Sequence, residues 1–128
     1  MAWCIGSVTY GCLGSSDRGG GATQEGLINN GRALNGIKTN NWDYVVLQEQ
    51  SVRPAIYGKS EQAFHDAVDL LVKEIKDVGA EPLLYMTWGR RDTLEIKDES
   101  ILDYETMQQK LSDAYRKAAD STTATSLC

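Results

Sequence analysis

A cluster of polar side chains follows an apolar run near the middle of the chain. Residues 42–51 read WDYVVLQEQS, so Gln48, Glu49, Gln50 and Ser51 come directly after the run 44–47, and Pro54 prevents the strand from continuing. Glutamine amides can donate hydrogen bonds to negative charge that develops on a substrate. A short apolar run of this kind predicts a strand buried on both faces of a parallel sheet. Ligands bind outside the carboxyl ends of such strands, so the cluster predicts a ligand site. A polar strand end with no catalytic task is the alternative.

Charged residues occupy two further positions of interest. Arg90 and Arg91 follow the apolar run 82–88, PLLYMTW, and are expected on the same side of the sheet. A guanidinium group can hold a carboxylate or phosphate through two parallel hydrogen bonds, and a solvated loop is the alternative. Glu49 and Arg53 are close in sequence and predict a local ion pair, which contributes about 1 kcal/mol or less when exposed.

The elements that position these residues alternate between strand and helix. Residues 2–5 predict a first strand, and the glycine-rich segment 10–23 predicts a loop. Apolar residues at helical spacing predict a helix over 24–37 with a break near 29–31. A second helix is predicted over 60–78, where Ser60 can cap the start and Gly79 the end. A third is predicted over 101–118, and residues 120–128 read as a polar tail in the place of a further strand.

This alternation predicts right-handed crossovers and a three-layer α/β/α sandwich with a mostly parallel sheet. The chain has 128 residues, of which 41% are hydrophobic and 24% charged, and we expect one domain over 1–128. The net charge of −5 argues against a nucleic-acid or anionic-membrane partner.

Compartment is inferred from what the sequence lacks. No run is long enough to span a membrane, and the first residues do not resemble a signal peptide, so as written the chain is expected to be cytoplasmic. Cys4, Cys12 and Cys128 have no metal-type spacing and predict unpaired thiols in a reducing compartment.

Three sequence blocks, in this order, resemble the SGNH (GDSL-like) hydrolases. They are IGSVTY at 5–10, GGGAT at 19–23 and WDYVVLQEQS at 42–51, and YMTW at 85–88 is a further similarity. The likeness is to a bacterial branch with a Gly-Asn-Ser-x-Thr start, a Gly-Gly-Ala-Thr turn and a WDYVVLQEQS-like strand. It covers residues 19–119 well and residues 3–10 loosely. It implies a flavodoxin-like SGNH architecture, here truncated.

The resemblance also implies roles for particular residues. The family's nucleophilic serine falls on Ser7 if one residue, the family's Asn, is missing after Gly6. A serine in a turn after a strand exposes its hydroxyl, and adjacent backbone N–H groups can hold an oxyanion. The family's oxyanion glycine falls within 19–21, and we take Gly20. Gln48 or Gln50 replaces the oxyanion-side Asn. A turn serine and a flexible glycine loop are the alternatives.

The chain departs from the family in its general base. The family places a histidine, preceded by an aspartate three residues earlier, after a further strand, and no Asp-x-x-His occurs here. The only histidine, His65, is predicted on a helix surface rather than in the site. The segment between Ser7 and Gly19 is also too short for the family's helix and second strand. The chain therefore reads as a family member shortened internally and incomplete at its C-terminus.

Two functions follow. The first is a carboxylic-ester hydrolase with Ser7 as nucleophile, acting on small acyl esters, including acetylated carbohydrates, without a metal or organic cofactor. The second is a catalytically inactive remnant that binds a ligand or forms a homo-oligomer covering sheet edges left open by the missing strand. Whether the chain is an enzyme is left open between them. Serine attack without a base loses a factor of about 10² to 10⁴.

Overall fold

The computed structural model describes residues 2–6, 16–18, 23–91, 96, 98, 101 and 103–127. Its centre is a five-stranded sheet of order β2-β1-β3-β4-β5 in which every neighbouring pair is parallel. The strands are β1 (Ala2–Gly6), β2 (Ser16–Arg18), β3 (Tyr44–Leu47), β4 (Glu81–Tyr85) and β5 (Thr125–Leu127). The helices are α1 (Gln24–Asn29), α2 (Arg32–Thr39), α3 (Lys59–Asp77) and α4 (Tyr104–Thr122), with a 3₁₀ turn at Arg53–Ala55. The predicted α/β class with a parallel sheet is confirmed.

The described helices form one layer. Each chain crossing from β2 to β3, from β3 to β4 and from β4 to β5 moves in the same direction across the sheet. Right-handed crossovers therefore place α1 to α4 on one face, and α3 contacts α1, α2 and α4. The described part of the chain thus shows the sheet and one of the two helical layers of the predicted sandwich.

Strands β3 and β4 are fully buried on only one face. Val45, Leu47 and Leu84 have no exposed surface, whereas Tyr44 is 46% and Tyr85 37% exposed on the opposite face. The prediction that β3 is buried on both faces is therefore wrong for the face that carries Tyr44. This face is the one that α1 to α4 do not cover.

The two long helices form where the apolar stripes predict them. In α3 the buried stripe packs against α4, where the ring of Phe64 lies 5.1 Å from that of Tyr115. Gly79 adopts a positive φ of 83° after the end of α3. Ser60 is not the cap, because α3 begins one residue earlier after Gly58 and has no side-chain cap. Helix α4 begins later than predicted, where the Asp103 carboxylate accepts a hydrogen bond from Thr106 N at 2.7 Å.

The break inside the first predicted helical segment is confirmed. Thr23 caps α1 by accepting from Gly26 N at 3.0 Å, and α1 ends at Asn29. Gly31 then adopts a φ of 75°, a left-handed conformation that glycine tolerates, and α2 begins at the next residue.

Two strands lie in segments that the sequence analysis interpreted otherwise. Strand β2 lies within the predicted loop 10–23 and pairs with β1, and β5 lies within the predicted polar tail and pairs with β4. Both are three-residue edge strands held by backbone pairing, so neither needs an apolar pattern. The predictions of a missing second strand and a missing last strand are therefore wrong.

Among the described residues, no helix combines the length and apolarity that crossing a membrane requires. Of the predicted free cysteines, Cys12 and Cys128 lie outside the described residues.

Candidate active site

The centre of the candidate site is a buried carboxyl group at the carboxyl end of β3. Glu49 has no exposed surface. Its Oε2 accepts a hydrogen bond from Gln24 N at 3.2 Å, and its Oε1 accepts one from Gln50 N at 2.7 Å. Its own backbone N–H donates to the hydroxyl oxygen of Tyr115 at 3.1 Å. Glu49 therefore joins the start of α1, the end of β3 and the middle of α4.

Burial changes the acidity of this group. Removal from water raises the pKa of Glu49 to about 7, against the lowering effect of the Gln50 and Gln24 N–H groups and of the nearby Arg53 charge. Burial also raises the pKa of Tyr115 above its ordinary value, so its hydroxyl stays protonated. The site thus holds a carboxyl group that changes charge near neutral pH.

The predicted ion pair between Glu49 and Arg53 is wrong. Arg53 Nη2 contacts Glu25 Oε2 at 2.7 Å instead, while the Glu49 oxygens face backbone N–H groups. The reason is the alternation of the strand, which turns Glu49 toward the helices as it does Leu47. Glu49 and Arg53 are close in sequence, but this closeness does not make their side chains an ion pair.

The two glutamines beside Glu49 are arranged differently. Gln48 is 8% exposed, and its Nε2 has no hydrogen-bond partner in the described part of the chain. Gln50 is half-buried, and its Oε1 accepts from Val52 N at 3.0 Å and from Arg53 N at 3.3 Å. The Gln50 carbonyl oxygen thus supports the turn, which leaves its NH₂ group to donate. Ser51 is half-buried in the same turn.

More buried polar atoms near this edge lack partners. Both amide atoms of the Gln24 side chain are buried without a hydrogen-bond partner among the described residues. Gln24 is tied to Glu49 through its backbone, and Thr87, which follows β4, neighbours the Tyr115 hydroxyl. Buried polar groups are normally hydrogen-bonded, so this edge has unused capacity to bind a polar group.

Sequence reasoning missed Gln24, Thr87 and Tyr115. Tyr115 carried a signal only as one of the apolar residues of the α4 stripe, and Thr87 lay within the predicted strand 82–88. Gln24 was the first residue of a predicted helix. No local pattern brings the three together, because the contacts join residues 25 and 66 positions apart.

Arg90 lies at the same edge but outside this buried group. Its side chain is exposed, and its backbone N–H donates to Met107 Sδ at 3.2 Å. Gly89 N donates to Gln108 Oε1 at 2.8 Å. These two bonds attach the loop after β4 to the first turns of α4, so Arg90 is placed at the rim.

Ser7 and Gly20 lie outside the described residues, as do the other glycines of 19–21. The strand that precedes Ser7 is described. Strand β1 pairs with β3 so that Ile5 is opposite Leu47, and β1 ends at Gly6. The strand leading to Ser7 is therefore the neighbour of the strand leading to Gln48.

His65 is buried within the helical layer, which corrects the expectation of a surface histidine. It is 9% exposed on α3, and its ring lies 5.2 Å from that of Phe64. Its Nε2 is 3.6 Å from Glu61 Oε1, which Lys117 Nζ approaches at 3.7 Å. Within the described ranges, no group of three or more His, Cys, Asp or Glu side chains is arranged to hold a metal ion.

Comparison with known proteins identifies the fold. No family model matches the chain, and no curated protein matches it. The structure is similar to a protein of Slackia heliotrinireducens described as "a putative SGNH hydrolase", with a TM-score of 0.80, 20% identity, and coverage of 98% of this chain and 76% of that one. It is also similar to the protein YxiM of Bacillus subtilis, with a TM-score of 0.68 and 16% identity over 99% of this chain and 42% of that one.

These similarities define the fold. The chain has an SGNH-like α/β fold, as its sequence blocks predict. At these identities the likeness extends to the fold alone. The chain also spans less than half the length of YxiM.

Proposed function

We propose that this chain is a serine ester hydrolase of SGNH type that acts on small acyl esters, including acetylated carbohydrates. The observation that carries the proposal is the adjacency of β1 and β3 in an SGNH-like sheet. This pairing brings the strand preceding Ser7 beside the strand that ends in Gln48, Glu49 and Gln50. A nucleophile and amide donors are then supplied by neighbouring strand ends, as ester hydrolysis requires.

The proposed reaction has two steps. The Ser7 hydroxyl attacks the ester carbonyl carbon, the carbonyl oxygen takes up the negative charge, and the alcohol leaves with a proton as an acyl-serine ester forms. Water then attacks that ester, which releases the acid and restores the hydroxyl of Ser7. No metal or organic cofactor enters either step.

The amides of Gln48 and Gln50 are the proposed donors to the oxyanion, together with backbone N–H groups at Gly20. Gln48 is the stronger candidate, because its Nε2 is buried and without a partner in the described structure. A preorganised donor of this kind stabilises the transition state by about 3 to 4 kcal/mol in known cases. Gln50 is the second candidate, because only its carbonyl oxygen is used by the turn.

The substrate must also be held at the rim of the site. Arg90 is exposed beside the first turns of α4 and is the proposed contact for a polar or acidic part of the substrate. Ser51, half-buried in the turn after β3, is the proposed neutral contact.

The test is hydrolysis of p-nitrophenyl acetate by the purified chain and by Ser7→Ala, with Ser60→Ala on α3 as the matched control. We expect Ser7→Ala to reduce the rate to that of a heat-denatured sample and Ser60→Ala to retain the wild-type rate. Equal rates for wild type and Ser7→Ala would remove Ser7 from the mechanism. A wild-type rate equal to that of the denatured sample would favour the inactive, ligand-binding alternative.

A further inference from the structure

Glu49 makes more hydrogen bonds than a residue at the end of a strand needs. Its two carboxyl oxygens bind the first backbone N–H of α1 and the backbone N–H of Gln50, while its own N–H is bound by Tyr115. A fully buried acidic side chain is rare unless it is paired with a cation. Here the partners of the carboxyl oxygens are backbone N–H groups, and the nearby cation, Arg53, contacts Glu25.

We propose that Glu49 is the positioning residue of the candidate site: its carboxyl group fixes the start of α1 against the turn after β3, and its charge state decides how it binds the two backbone N–H groups. The proposal rests on the proposed function for its consequence in catalysis. The arrangement of hydrogen bonds, by contrast, stands on the described geometry alone.

The two charge states of Glu49 bind these N–H groups differently. As a carboxylate, both oxygens only accept, and the bonds from Gln24 N and Gln50 N are charge-assisted. Once protonated, one oxygen becomes a donor, so a backbone N–H that it had accepted loses a good partner. The Gln24 Oε1 atom, buried without a partner in the described structure, is an acceptor on the adjoining residue for the new O–H.

The groups around Glu49 place this change near neutral pH. Burial favours the protonated form, and Glu25 on α1 acts in the same direction. Arg53 on the 3₁₀ turn and the two N–H groups favour the carboxylate. Tyr115 on α4 stays neutral because its own pKa is raised. These opposing effects leave a carboxyl group whose pKa is about 7.

Glu49 affects the proposed site through its contacts with Gln50 and with the start of α1. Gln50 N is bound by Glu49, and the Gln50 side chain supports the backbone of Val52 and Arg53. The carboxylate thus orients the residue that presents an amide to the proposed oxyanion. Gln24 is the first residue of α1 and follows Gly20 by four residues in the sequence.

The first experiment needs no catalysis. The amide ¹H and ¹⁵N shifts and the hydrogen-exchange protection of Gln24 and Gln50 are measured by NMR on the uniformly ¹⁵N-labelled chain between pH 5 and 9. We expect the shifts of both amides to titrate together with a midpoint near 7, and protection, corrected for the intrinsic rate, to be about tenfold higher at the acidic end, because the folded state binds the Glu49 proton more tightly than an opened state does. A midpoint below about 5, or unchanged protection, would overturn the proposal.

Glu49→Gln and Glu81→Gln form the matched pair of variants. Gln at position 49 is uncharged at every pH, so the joint titration of the two amides should vanish. Glu81 is exposed at the other end of the sheet, in β4, and its variant should leave the titration intact. Persistence of the titration in Glu49→Gln would assign it to another group. If that variant does not fold, Glu49→Asp, whose shorter side chain cannot reach both N–H groups, should uncouple the two midpoints.

The second experiment measures how the charge state of Glu49 affects catalysis. The kcat of the wild type for p-nitrophenyl acetate should rise with pH through the same midpoint, and Glu49→Gln should give a profile without that rise and a kcat at pH 8 lower by about 10- to 100-fold. A rise that persists in Glu49→Gln would remove Glu49 from catalysis. Absence of any Ser7-dependent rate in the wild type would instead defeat the proposed function, and the amide titration would still decide the positioning role.

Discussion

Two acidic side chains of this molecule have opposite surroundings. Glu61, between α3 and α4, lies near two basic groups, His65 at 3.6 Å and Lys117 at 3.7 Å. Glu49, at the end of β3, accepts hydrogen bonds from two uncharged backbone N–H groups and has no exposed surface. A histidine and a carboxylate are therefore adjacent in the helical layer, whereas the described part of the candidate site has the Glu49 carboxyl group without a histidine.

Residue type without position is therefore a poor guide to the role of a side chain. A sequence search for a histidine next to an acid finds Glu61 and His65, which lie one helical turn apart near the start of α3. The group with perturbed acidity is the one that the sequence analysis assigned to a local ion pair. Perturbed acidity beside unpartnered polar atoms is characteristic of functional sites.

The largest expected effect separates the two regions by activity. Gln48→Ala should lower kcat for p-nitrophenyl acetate by about 10² to 10³, because it removes a buried amide donor to the oxyanion. His65→Gln, in the other region, should keep kcat within about twofold of the wild type. Steady-state kinetics on both variants checks this. A loss of kcat in His65→Gln comparable to that in Gln48→Ala would contradict the separate roles of the two regions.

The next effect is a dependence of stability on pH that belongs to Glu49. Because the pKa of Glu49 is about 7 in the folded chain and near 4.5 when unfolded, the folded state binds the proton more tightly. This contribution to the free energy of unfolding is present in full below about pH 4.5 and is lost as pH rises through 7. It amounts to at most about 3 kcal/mol.

Urea unfolding at pH 5 and pH 8 measures this dependence, and other carboxyl groups cancel in the difference between wild type and Glu49→Gln. We expect the wild type to lose more stability than the variant between the two pH values. Parallel pH dependences for wild type and Glu49→Gln would contradict the assignment.

A smaller effect tests how the site is attached to α4. Tyr115→Phe leaves the buried Glu49 N–H without its acceptor, and we expect the free energy of unfolding to fall by about 1 to 3 kcal/mol. Tyr104→Phe at the exposed start of α4 is the control and should change it by less than about 0.5 kcal/mol. Urea denaturation of both variants measures the free energy of unfolding. Similar losses in the two variants would show that the buried hydrogen bond is not the cause of the destabilisation.

The smallest effect concerns the charges in the helical layer. Lys117→Met removes a largely exposed ammonium 3.7 Å from Glu61, and such pairs contribute about 0.5 kcal/mol or less. Thermal unfolding at low and high salt should give nearly equal midpoints for wild type and variant. A loss of unfolding free energy well above about 1 kcal/mol would mean that the contact between Lys117 and Glu61 behaves as a buried ion pair.

Much of the fold could be predicted because its signals are local. The apolar run of β3, the stripe of α3 and the glycine break between α1 and α2 each lie within a few turns or one strand of chain, and each was confirmed. Strands β2 and β5 escaped prediction because three-residue edge strands depend on pairing with β1 and β4 rather than on their own composition.

The site was predicted less completely because it is assembled over long separations. The sequence identified Gln48 and Gln50 from the end of one strand. It could not show that Gln24 and Tyr115 would meet Glu49, nor that strand alternation would turn Glu49 away from Arg53. The positions of Ser7 and Gly20 stay predictions.

The strand order has a consequence for the two ends of the sheet. Strand β1, first along the chain, lies between β2 and β3, whereas β5, last along the chain, lies at the border and pairs with β4 only. Deleting the five residues of β1 would divide the sheet and detach β2, while deleting the three of β5 would merely narrow it. The fold is therefore far less tolerant of trimming at its beginning than at its end.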